Sequence, residues 1–246
     1  METLWPEFEQ ASVLPPDDVR VFAVPLHDIR ASDESLLAIL SPDERRRAAK
    51  FRIEKPRRQF VVGRAALRNL LGAQLNTPAG EVAIVCDASG KPRIEGAGNS
   101  APLRFNVAHS DDIVLVAIAL GCEVGVDVER LRVVNHKEQI ARRYFHTAEL
   151  EAILAAPAAQ RDAAFLRCWT GKEAVVKAVG TGLSDLLSAF QVPADDHNDA
   201  WVDLPAAVAR RAARCWLQSL RPDSDYVGAV ACVGARRAAS CLTIRV

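Results

Sequence analysis

Residues 165–183 read FLRCWTGKEAVVKAVGTGL and predict the helix on which the rest of the fold depends. Apolar side chains recur at helical spacing from Phe165 to Val179. Glu173 and Lys177 stand four positions apart, so they share one face of this helix. In isolation such a pair is typical of a surface ion pair of small energy. Because the surrounding helix is largely apolar, the pair is also a candidate for the edge of a binding site.

A second predicted helix carries a similar pattern. Residues 63–72 read GRAALRNLLG and residues 171–180 read GKEAVVKAVG, and both place glycine, basic, alanine and apolar residues in one order. Each is followed, some way on, by an apolar strand, at 113–120 and at 226–233. Chance similarity between two amphipathic helices explains this pattern as well as duplication does. The alternative is two related α/β halves with a site in the cleft between them.

Residues 125–129, GVDVE, predict a strand with a paired acidic feature. Because side chains alternate along a strand, Asp127 and Glu129 project together while Val126 and Val128 enter the core. Adjacent carboxylates repel each other unless a cation or a shared proton intervenes. Oxygen ligands without His or Cys favour Mg²⁺ or Mn²⁺ over zinc. Two solvated acids at a strand end are the alternative interpretation.

Two further segments carry residues that can bind an anion. His109 lies at the end of a predicted strand within NVAHS (106–110), where an imidazole can donate to a phosphate or act as an acid or base, although a structural role is the alternative. Gly90-Lys91-Pro92 predicts a tight turn that carries a scarce residue type, since only six of the 31 basic residues are lysines. Half of those lysines lie either in this turn or in the helix at 165–179, namely Lys91, Lys172 and Lys177.

The rest of the chain alternates predicted helices and strands. The segment SPDE (41–44) combines a serine N-cap, proline at the first helical position and glutamate at the third, which is a capping box. The predicted strands cover 19–26, 82–86, 103–107 (ending at 108–110), 113–120, 123–129, 216–220 and 226–233. The predicted helices cover 31–40, the segment opened by Ser41, 57–71, 144–155 and 165–179, with loops at 87–92, 96–100 and 193–198.

Composition excludes several classes of protein. The 246 residues carry 31 Lys+Arg and 31 Asp+Glu, so a nucleic-acid binder or a polybasic membrane-surface protein is not expected. The six cysteines form no CxxC pair, which predicts reduced thiols rather than a zinc site or a disulfide framework. The first ten residues do not read as a signal peptide, and the apolar run 113–122 is about half a membrane span. We therefore expect a cytoplasmic protein with no membrane partner.

Six segments taken together resemble the Sfp-type 4′-phosphopantetheinyl transferase family. They occur in the family's order and extend, with their surroundings, from about residue 41 to 192, with weaker agreement at 19–26 and 226–232. The segments are SPDERRRAAKF (41–51), GRAALRNLLG (63–72), GKPRI (90–94), FNVAHSDD (105–112), VGVDVE (124–129) and FLRCWTGKEAVVKAVGTGL (165–183).

This resemblance implies a fold and an activity. The fold is α+β, with two similar α/β halves related by a pseudo-twofold axis, residues 1–121 and 122–246, and an active site in the cleft between them. The second half carries the metal ligands, and the protein is a monomer. The activity is transfer of the 4′-phosphopantetheine arm of coenzyme A to a serine hydroxyl of an apo acyl, polyketide or peptidyl carrier protein, with release of 3′,5′-ADP.

The resemblance also implies residue roles. Asp127, Glu129 and Glu173 are the expected ligands of Mg²⁺, with Mn²⁺ as the alternative ion. Glu173 and Lys177 are the expected catalytic residues: Glu173 acts as base, directly or through a metal-bound water, and Lys177 lies near the pyrophosphate. The residues expected at coenzyme A are Arg47, Gly90, Lys91, Pro92, Ala108, His109, Ser110, Asp127 and Lys177.

Two positions depart from the family pattern. Ala108 stands where the family often has serine, so one side-chain contact to coenzyme A is missing while a backbone contact survives. Glu44 stands where some members have lysine, so Arg47 must provide more of the phosphate contact.

Partner and function retain alternatives. An acidic carrier surface could meet Arg142, Arg143, Phe145 and Leu150, although an ordinary solvated helix face is the alternative. A non-catalytic module that binds coenzyme A or a carrier, and an enzyme that hydrolyses the coenzyme A pyrophosphate, are the competing functions.

Overall fold

The computed structural model describes residues 5–8, 14–15, 17–86, 90–95, 103–180, 184–194, 199–206 and 212–246. The predicted loop at 96–100, residues 87–89 of the predicted turn and residues 195–198 lie outside these ranges. The helices are α1 (Asp33–Ile39), α2 (Pro42–Ala48), α3 (Glu54–Leu75), α4 (Lys137–Tyr144), α5 (Thr147–Ala155) and α6 (Arg161–Val179), with short 3₁₀ segments at Ala79–Glu81, Ala158–Gln160 and Ser184–Ala189. The strands are β1 (Val19–Pro25), β2 (Ile84–Cys86), β3 (Pro92–Ile94), β4 (Leu103–Ser110), β5 (Ile113–Leu120), β6 (Val124–Arg130), β7 (Asp199–Asp203), β8 (Arg214–Leu220), β9 (Tyr226–Val233) and β10 (Ala239–Thr243).

The strands form two four-stranded sheets and a small hairpin. The first sheet has the order β10-β1-β5-β4, the second has the order β6-β9-β8-β7, and β2 pairs with β3. Helices and largely antiparallel sheets together confirm the predicted α+β class. In the described ranges, no helix is both long and apolar enough to cross a membrane.

The two halves repeat one connectivity. In the first half, β1 leads through helices to the hairpin β4–β5 and pairs antiparallel with β5. In the second half, β6 leads through helices to the hairpin β8–β9 and pairs antiparallel with β9. This agrees with two related halves, whereas the pseudo-twofold axis between them stays a prediction.

The division after residue 121 falls in the turn between β5 and β6. The last strand, β10, comes from the second half but belongs to the first sheet, where it pairs in parallel with β1. The sequence did not predict this crossing. Its consequence is that the end of the chain fastens the second half to the first.

Alternating side chains build four layers, with α3 and α6 on the outside and the two sheets between them. Val124, Val126 and Val128 of β6 pack with Val21 and Leu115 of the first sheet in a core shared by both sheets. Other side chains of each sheet join the core beneath the neighbouring helix. The valines of GVDVE therefore enter the core as predicted, and the opposite face of β6 is left for α6.

Helix α6 approaches β6 closely because Gly125 has no side chain. A Cβ atom at Gly125 would lie 2.1 Å from the carbonyl oxygen of Ala174 and 2.3 Å from the amide nitrogen of Ala178. Gly125, Asp127 and Glu129 share one face of β6, since they alternate with the buried valines. This glycine thus sets the spacing between the strand and the helix that carry the predicted metal ligands.

Some element predictions were wrong in detail. The helix predicted over residues 144–155 begins only at Thr147, because His146 caps α5: its Nδ1 accepts from the Ala148 amide at 3.3 Å, while Glu149 Oε2 accepts from the His146 amide at 2.7 Å. Strand β4 includes residues 108–110, at which the predicted strand was expected to end, since all three pair with β5. The short strands β3 and β7 and the helix α4 were not predicted.

Candidate active site

A buried ion pair joins β6 to α6. Asp127 is 8% exposed, and its Oδ1 lies 2.6 Å from Nζ of Lys177. Glu173 lies one helical turn before Lys177 on α6, on the side that influences Asp127 electrostatically. Two of the predicted metal ligands and the predicted catalytic lysine are therefore brought together by the contact between β6 and α6.

Several charged groups change the pKa of Asp127. Burial raises the pKa of Asp127 to about 6, and the Lys177 ammonium opposes that rise. The carboxylates of Glu173 and Glu129 both raise the pKa of Asp127 further. Three acidic side chains thus act on one small, partly desolvated region, which a cation would stabilise.

The donor set fits a hard divalent cation in its chemistry. Asp127, Glu129 and Glu173 offer oxygen atoms alone, as Mg²⁺ prefers. In the part of the chain that the structure describes, no three His, Cys, Asp or Glu side chains converge closely enough to hold a metal ion. In this arrangement the Lys177 ammonium lies against Asp127 and supplies the neutralising charge.

Ser110 connects the two halves at the third carboxylate. Its Oγ donates to Glu129 Oε2 at 3.0 Å and accepts from the amide of Arg130 at 3.1 Å. Strand β4 thereby holds the end of β6, and a second link forms where Asn106 Oδ1 accepts from the Val126 amide at 2.9 Å. The predicted coenzyme A residue Ser110 therefore also positions a predicted metal ligand.

A groove lies in the first half, and we call it groove one. Its volume is about 390 Å³, and its lining includes Arg47, Phe60, Arg64, Pro92 and His109. The structure thus brings three of the predicted coenzyme A residues, Arg47, Pro92 and His109, to one cavity.

His109 lies at the end of groove one that faces the carboxylates. Burial lowers the pKa of His109, the Lys177 ammonium lowers it further, and the Glu129 carboxylate opposes them. The imidazole is therefore close enough to Lys177 and Glu129 to respond to both charges. His109 is thus the residue of groove one through which its lining and the acidic site influence each other electrostatically.

The Lys91 ammonium lies elsewhere, in the junction between the halves. Its Nζ is 3.0 Å from Glu123 Oε2 and donates to the carbonyl oxygen of Ala178 at 3.0 Å. Lys91 is 8% exposed, so this group does not face groove one. These contacts disagree with the predicted phosphate contact of the ammonium and give Lys91 a structural role.

Glu123 is the centre of that junction. Its Oε1 also lies 3.1 Å from Arg93 Nη1 and 2.9 Å from Arg104 Nε. Burial alone would raise the pKa of Glu123, but Lys91, Arg93 and Arg104 overcome this and lower it to about 2. The cluster joins β3, β4 and β6 and thereby fixes one half against the other.

Lys172 is a second lysine with an interior role. Its Nζ lies 2.8 Å from Glu149 Oε2 and donates to the carbonyl oxygens of Leu187 and Phe190 at 2.6 and 2.7 Å. Of Lys91, Lys172 and Lys177, only Lys177 therefore lies in the acidic site. The scarcity of lysine in the sequence therefore did not predict which lysines lie in a binding site. Two of these three lysines are buried and neutralise buried carboxylates.

Two other predicted coenzyme A residues have restricted roles. The Ala108 side chain is buried in the core shared by the two sheets, so only its backbone can reach a ligand. Gly90 is exposed with φ at +82°, a conformation that favours glycine, so it shapes the turn before Lys91.

A second groove lies on the far side of Glu129, and we call it groove two. Its volume is about 350 Å³, and its lining is largely apolar, including Val133, Ile140, Phe165 and Trp169. Glu129 contributes the carboxylate at its edge. Groove two therefore shares one residue, Glu129, with the acidic site.

The predicted carrier surface on α4 needs one correction. Arg142 and Arg143 are exposed, as a docking surface requires. Phe145 is buried, and its ring centroid lies 5.0 Å from that of Phe165 in a stacked contact. The prediction of Phe145 as a contact residue is therefore wrong, because its ring belongs to the core beneath α6.

Arg64 is the residue of groove one that sequence reasoning missed. It lies on α3, and its guanidinium carbon is 5.7 Å from the centroid of the Phe60 ring. The repeated motif aligns Arg64 with Lys172, which is buried and structural, so the repeat could not assign it to a site. The sequence pattern that could have identified Arg64 is a basic residue one turn after Phe60, on a helix whose apolar face is buried.

Fold and site together show two α/β halves of similar connectivity, an acidic centre on β6 and α6, and a cationic groove whose His109 responds to Lys177 and Glu129. Such a site suits a phosphorylated ligand bound with a divalent cation. Residues 123–231 match the model of the 4′-phosphopantetheinyl transferase superfamily, and residues 29–120 match the model described as 4′-phosphopantetheinyl transferase, N-terminal.

Curated relatives extend these matches over most of the chain. The 4′-phosphopantetheinyl transferase HetI of Nostoc sp. is 33% identical over 218 residues, 89% of each chain. The 4′-phosphopantetheinyl transferase psf-1 of Bacillus pumilus is 28% identical over 86% of this chain and 89% of its own. The 4′-phosphopantetheinyl transferase Sfp of Bacillus subtilis is 24% identical over 80% of this chain and 84% of its own. The chain belongs to the 4′-phosphopantetheinyl transferase superfamily and is an enzyme of that class.

Proposed function

We propose that this enzyme transfers the 4′-phosphopantetheine arm of coenzyme A to a serine hydroxyl of an apo carrier protein in a Mg²⁺-dependent reaction that releases 3′,5′-ADP. The observation that carries the proposal is the junction of β6 and α6. There Asp127 pairs with Lys177, Glu173 acts electrostatically on Asp127, and His109 of groove one responds to the Lys177 charge. Acidic oxygens and one lysine within electrostatic range of a cationic groove match what pyrophosphate chemistry needs.

In the proposed arrangement, coenzyme A lies along groove one with its pyrophosphate at the acidic site. His109 and Lys177 donate to the phosphate oxygens, while Pro92 and the turn at Gly90 border the adenine. Asp127, Glu129 and Glu173 would hold Mg²⁺. When bound, the ion would withdraw charge from the pyrophosphate and stabilise the charge that develops on the leaving phosphate.

The transfer step follows from these positions. The carrier serine oxygen attacks the phosphorus that bears the pantetheine arm, and the bond from that phosphorus to the bridging oxygen breaks. The bridging oxygen leaves with 3′,5′-ADP. Glu173 accepts the serine proton, because a serine hydroxyl is a weak nucleophile without a base. Lys177 stays beside the pyrophosphate and balances its charge.

We propose groove two as the side from which the carrier approaches. Val133 is 74% exposed at its edge, and Arg132 and Arg142 are exposed nearby on the same half. Exposed apolar and cationic side chains together suit an acidic carrier helix. This keeps the two substrates on opposite sides of Glu129, so each reaches the acidic site by its own route.

The test of the proposal is a panel of apo carriers. Fatty-acid, polyketide and nonribosomal-peptide carriers are incubated with the protein, coenzyme A and Mg²⁺, and each is read by intact mass. At least one carrier should gain a single phosphopantetheine arm, and the KM values across the panel identify the preferred class. Absence of an adduct on every carrier would contradict the proposal. In the same framework we propose that the enzyme acts as a monomer in the cytoplasm, which gel filtration and cell fractionation test.

A further inference from the structure

The guanidinium groups of two arginines lie over one aromatic ring in groove one. The guanidinium carbon of Arg47 lies 5.0 Å from the centroid of the Phe60 ring, and that of Arg64 lies 5.7 Å from it. Both side chains line the groove. Two guanidinium groups repel each other at such a position unless an anion lies between them. Arginine forks suit a phosphate because two parallel N–H groups match two of its oxygens.

Arg64 is held loosely by the protein itself. Its Nε lies 3.8 Å from Glu44 Oε1, which is a long ion pair, and in the described ranges no protein group accepts a hydrogen bond from its guanidinium. The other oxygen of Glu44 is occupied, since it lies 2.6 Å from Arg68 Nε and accepts from the Ser41 amide at 2.9 Å. Glu44 therefore orients Arg64 without consuming its donors.

The environment of Arg64 also favours an added anion. Burial lowers the pKa of the Arg64 guanidinium, Glu44 opposes that effect, and Arg47 adds to it. The family resemblance places Glu44 at a position where some members have lysine. In this chain Arg64 can supply the missing positive charge, and Glu44 becomes the group that positions it.

The place of the pair in groove one indicates which phosphate it meets. His109 faces Lys177 and Glu129 at the acidic end of the groove. Arg47 and Arg64 lie around Phe60, on the α2 and α3 side. Coenzyme A carries phosphate at two places, the pyrophosphate and the 3′ position of the ribose. With the pyrophosphate at the acidic end, the arginine pair is left for the ribose phosphate.

We propose that Arg64, together with Arg47, binds the ribose 3′-phosphate of coenzyme A and thereby selects coenzyme A over dephospho-coenzyme A. The inference rests on the proposed function, since it takes the pyrophosphate to lie at Asp127 and Lys177. It assigns a specificity residue that neither the motif nor the repeat identified. Arg64 is a binding residue, and Glu44 is a positioning residue that acts through it.

The test compares two ligands that differ only in the 3′-phosphate. Calorimetry gives Kd for coenzyme A and for dephospho-coenzyme A with the full-length protein, R64Q, R64K and the control R58Q. Arg58 is a half-exposed arginine of the same helix, outside groove one. We expect R64Q to lose about tenfold or more in affinity for coenzyme A and almost none for dephospho-coenzyme A, because one charged hydrogen-bonded contact is removed. R64K should recover part of the loss, and R58Q should match the unmodified protein.

The outcomes separate this inference from the proposed function. Equal losses for the two ligands in R64Q would contradict the inference, because the contact would then not be to the 3′-phosphate. An unchanged Kd for coenzyme A in R64Q would contradict it as well. If the unmodified protein bound neither ligand, the proposed function itself would fail. Thermal melting of each variant shows whether a loss of affinity comes from a damaged fold, and the ratio of the two Kd values is insensitive to such damage.

Discussion

The Nζ atom of Lys177 lies 2.6 Å from Oδ1 of Asp127, so the ammonium of the proposed catalytic lysine is paired with a proposed metal ligand. Burial keeps this carboxylate at a raised pKa, and Glu173 and Glu129 add to the effect. In the ligand-free site the lysine therefore neutralises carboxylate charge, as a bound divalent cation would. In the proposed mechanism, the ammonium moves from the carboxylate to the pyrophosphate when coenzyme A and the metal ion bind.

This exchange predicts opposite effects of one substitution on two ligands. Lys177→Met removes the competing ammonium, so the affinity for Mn²⁺ without coenzyme A should rise by about tenfold. Turnover should fall by about 10²-fold or more, because the pyrophosphate loses its neutralising donor. Electron paramagnetic resonance of Mn²⁺ measures the first effect. Weaker Mn²⁺ binding in K177M would mean that the lysine does not compete for the carboxylates.

Removal of the proposed base gives a second prediction. Glu173→Gln keeps the shape of the side chain but cannot accept the serine proton, so kcat should fall by about 10²- to 10⁴-fold while Kd for coenzyme A changes little. The matched control is Glu138→Gln, an exposed glutamate on α4. Near-normal turnover in E173Q would eliminate this residue as the base.

The junction at Glu123 predicts a pH-dependent stability. Its pKa is lowered from 4.5 to about 2 in the folded protein. A lowered pKa stabilises the fold above pH 4.5, and this contribution disappears as the pH falls toward 2, which amounts to about 3 kcal/mol in total. Glu123→Gln should therefore unfold more easily at pH 7 and show a shallower loss of stability between pH 4.5 and 2. Denaturant titrations at several pH values measure this, and parallel profiles for both proteins would contradict it.

Close packing of α6 on β6 predicts a steric effect. Gly125→Ala places a Cβ atom 2.1 Å from the Ala174 carbonyl oxygen, so strand and helix must separate. We expect a loss of about 3 kcal/mol or more, and a melting temperature lower by about 10 °C. Gly80→Ala is the control, because its added Cβ would meet only the Ile39 carbonyl oxygen at 3.8 Å. A melting temperature in G125A equal to that of G80A would show that strand and helix have room for the added Cβ atom.

Local patterns predicted the parts of the fold that depend on neighbours in sequence. The capping box at Ser41 is present, with Glu44 accepting from the Ser41 amide and Ser41 Oγ accepting from the Glu44 amide. The alternation in GVDVE placed its valines in the core and its acids on the opposite face. The capping box and the alternation both depend on residues close together in one helix or strand, so the local sequence is enough to predict them.

Features that depend on distant contacts were not predictable. Strand β10 pairs with β1 across nearly the whole chain, and no local pattern records that partner. The ammonium groups of Lys91 and Lys172 bind buried carboxylates on other elements, and no local pattern records these partners, so Lys91 was assigned a phosphate contact from its motif position. Arg64 was missed for the converse reason, since its proposed role depends on a contact with the Phe60 ring that it shares with Arg47 of another helix.

The most direct test of the central claim is the ratio of two products in one reaction. The protein is incubated with coenzyme A, Mg²⁺ and an accepted apo carrier, and 3′,5′-ADP is measured beside the mass gained by the carrier. The account predicts one 3′,5′-ADP for each phosphopantetheine arm attached and no 3′,5′-ADP when carrier or Mg²⁺ is left out. Release of 3′,5′-ADP without carrier, which indicates hydrolysis, or binding of coenzyme A with neither product would contradict it.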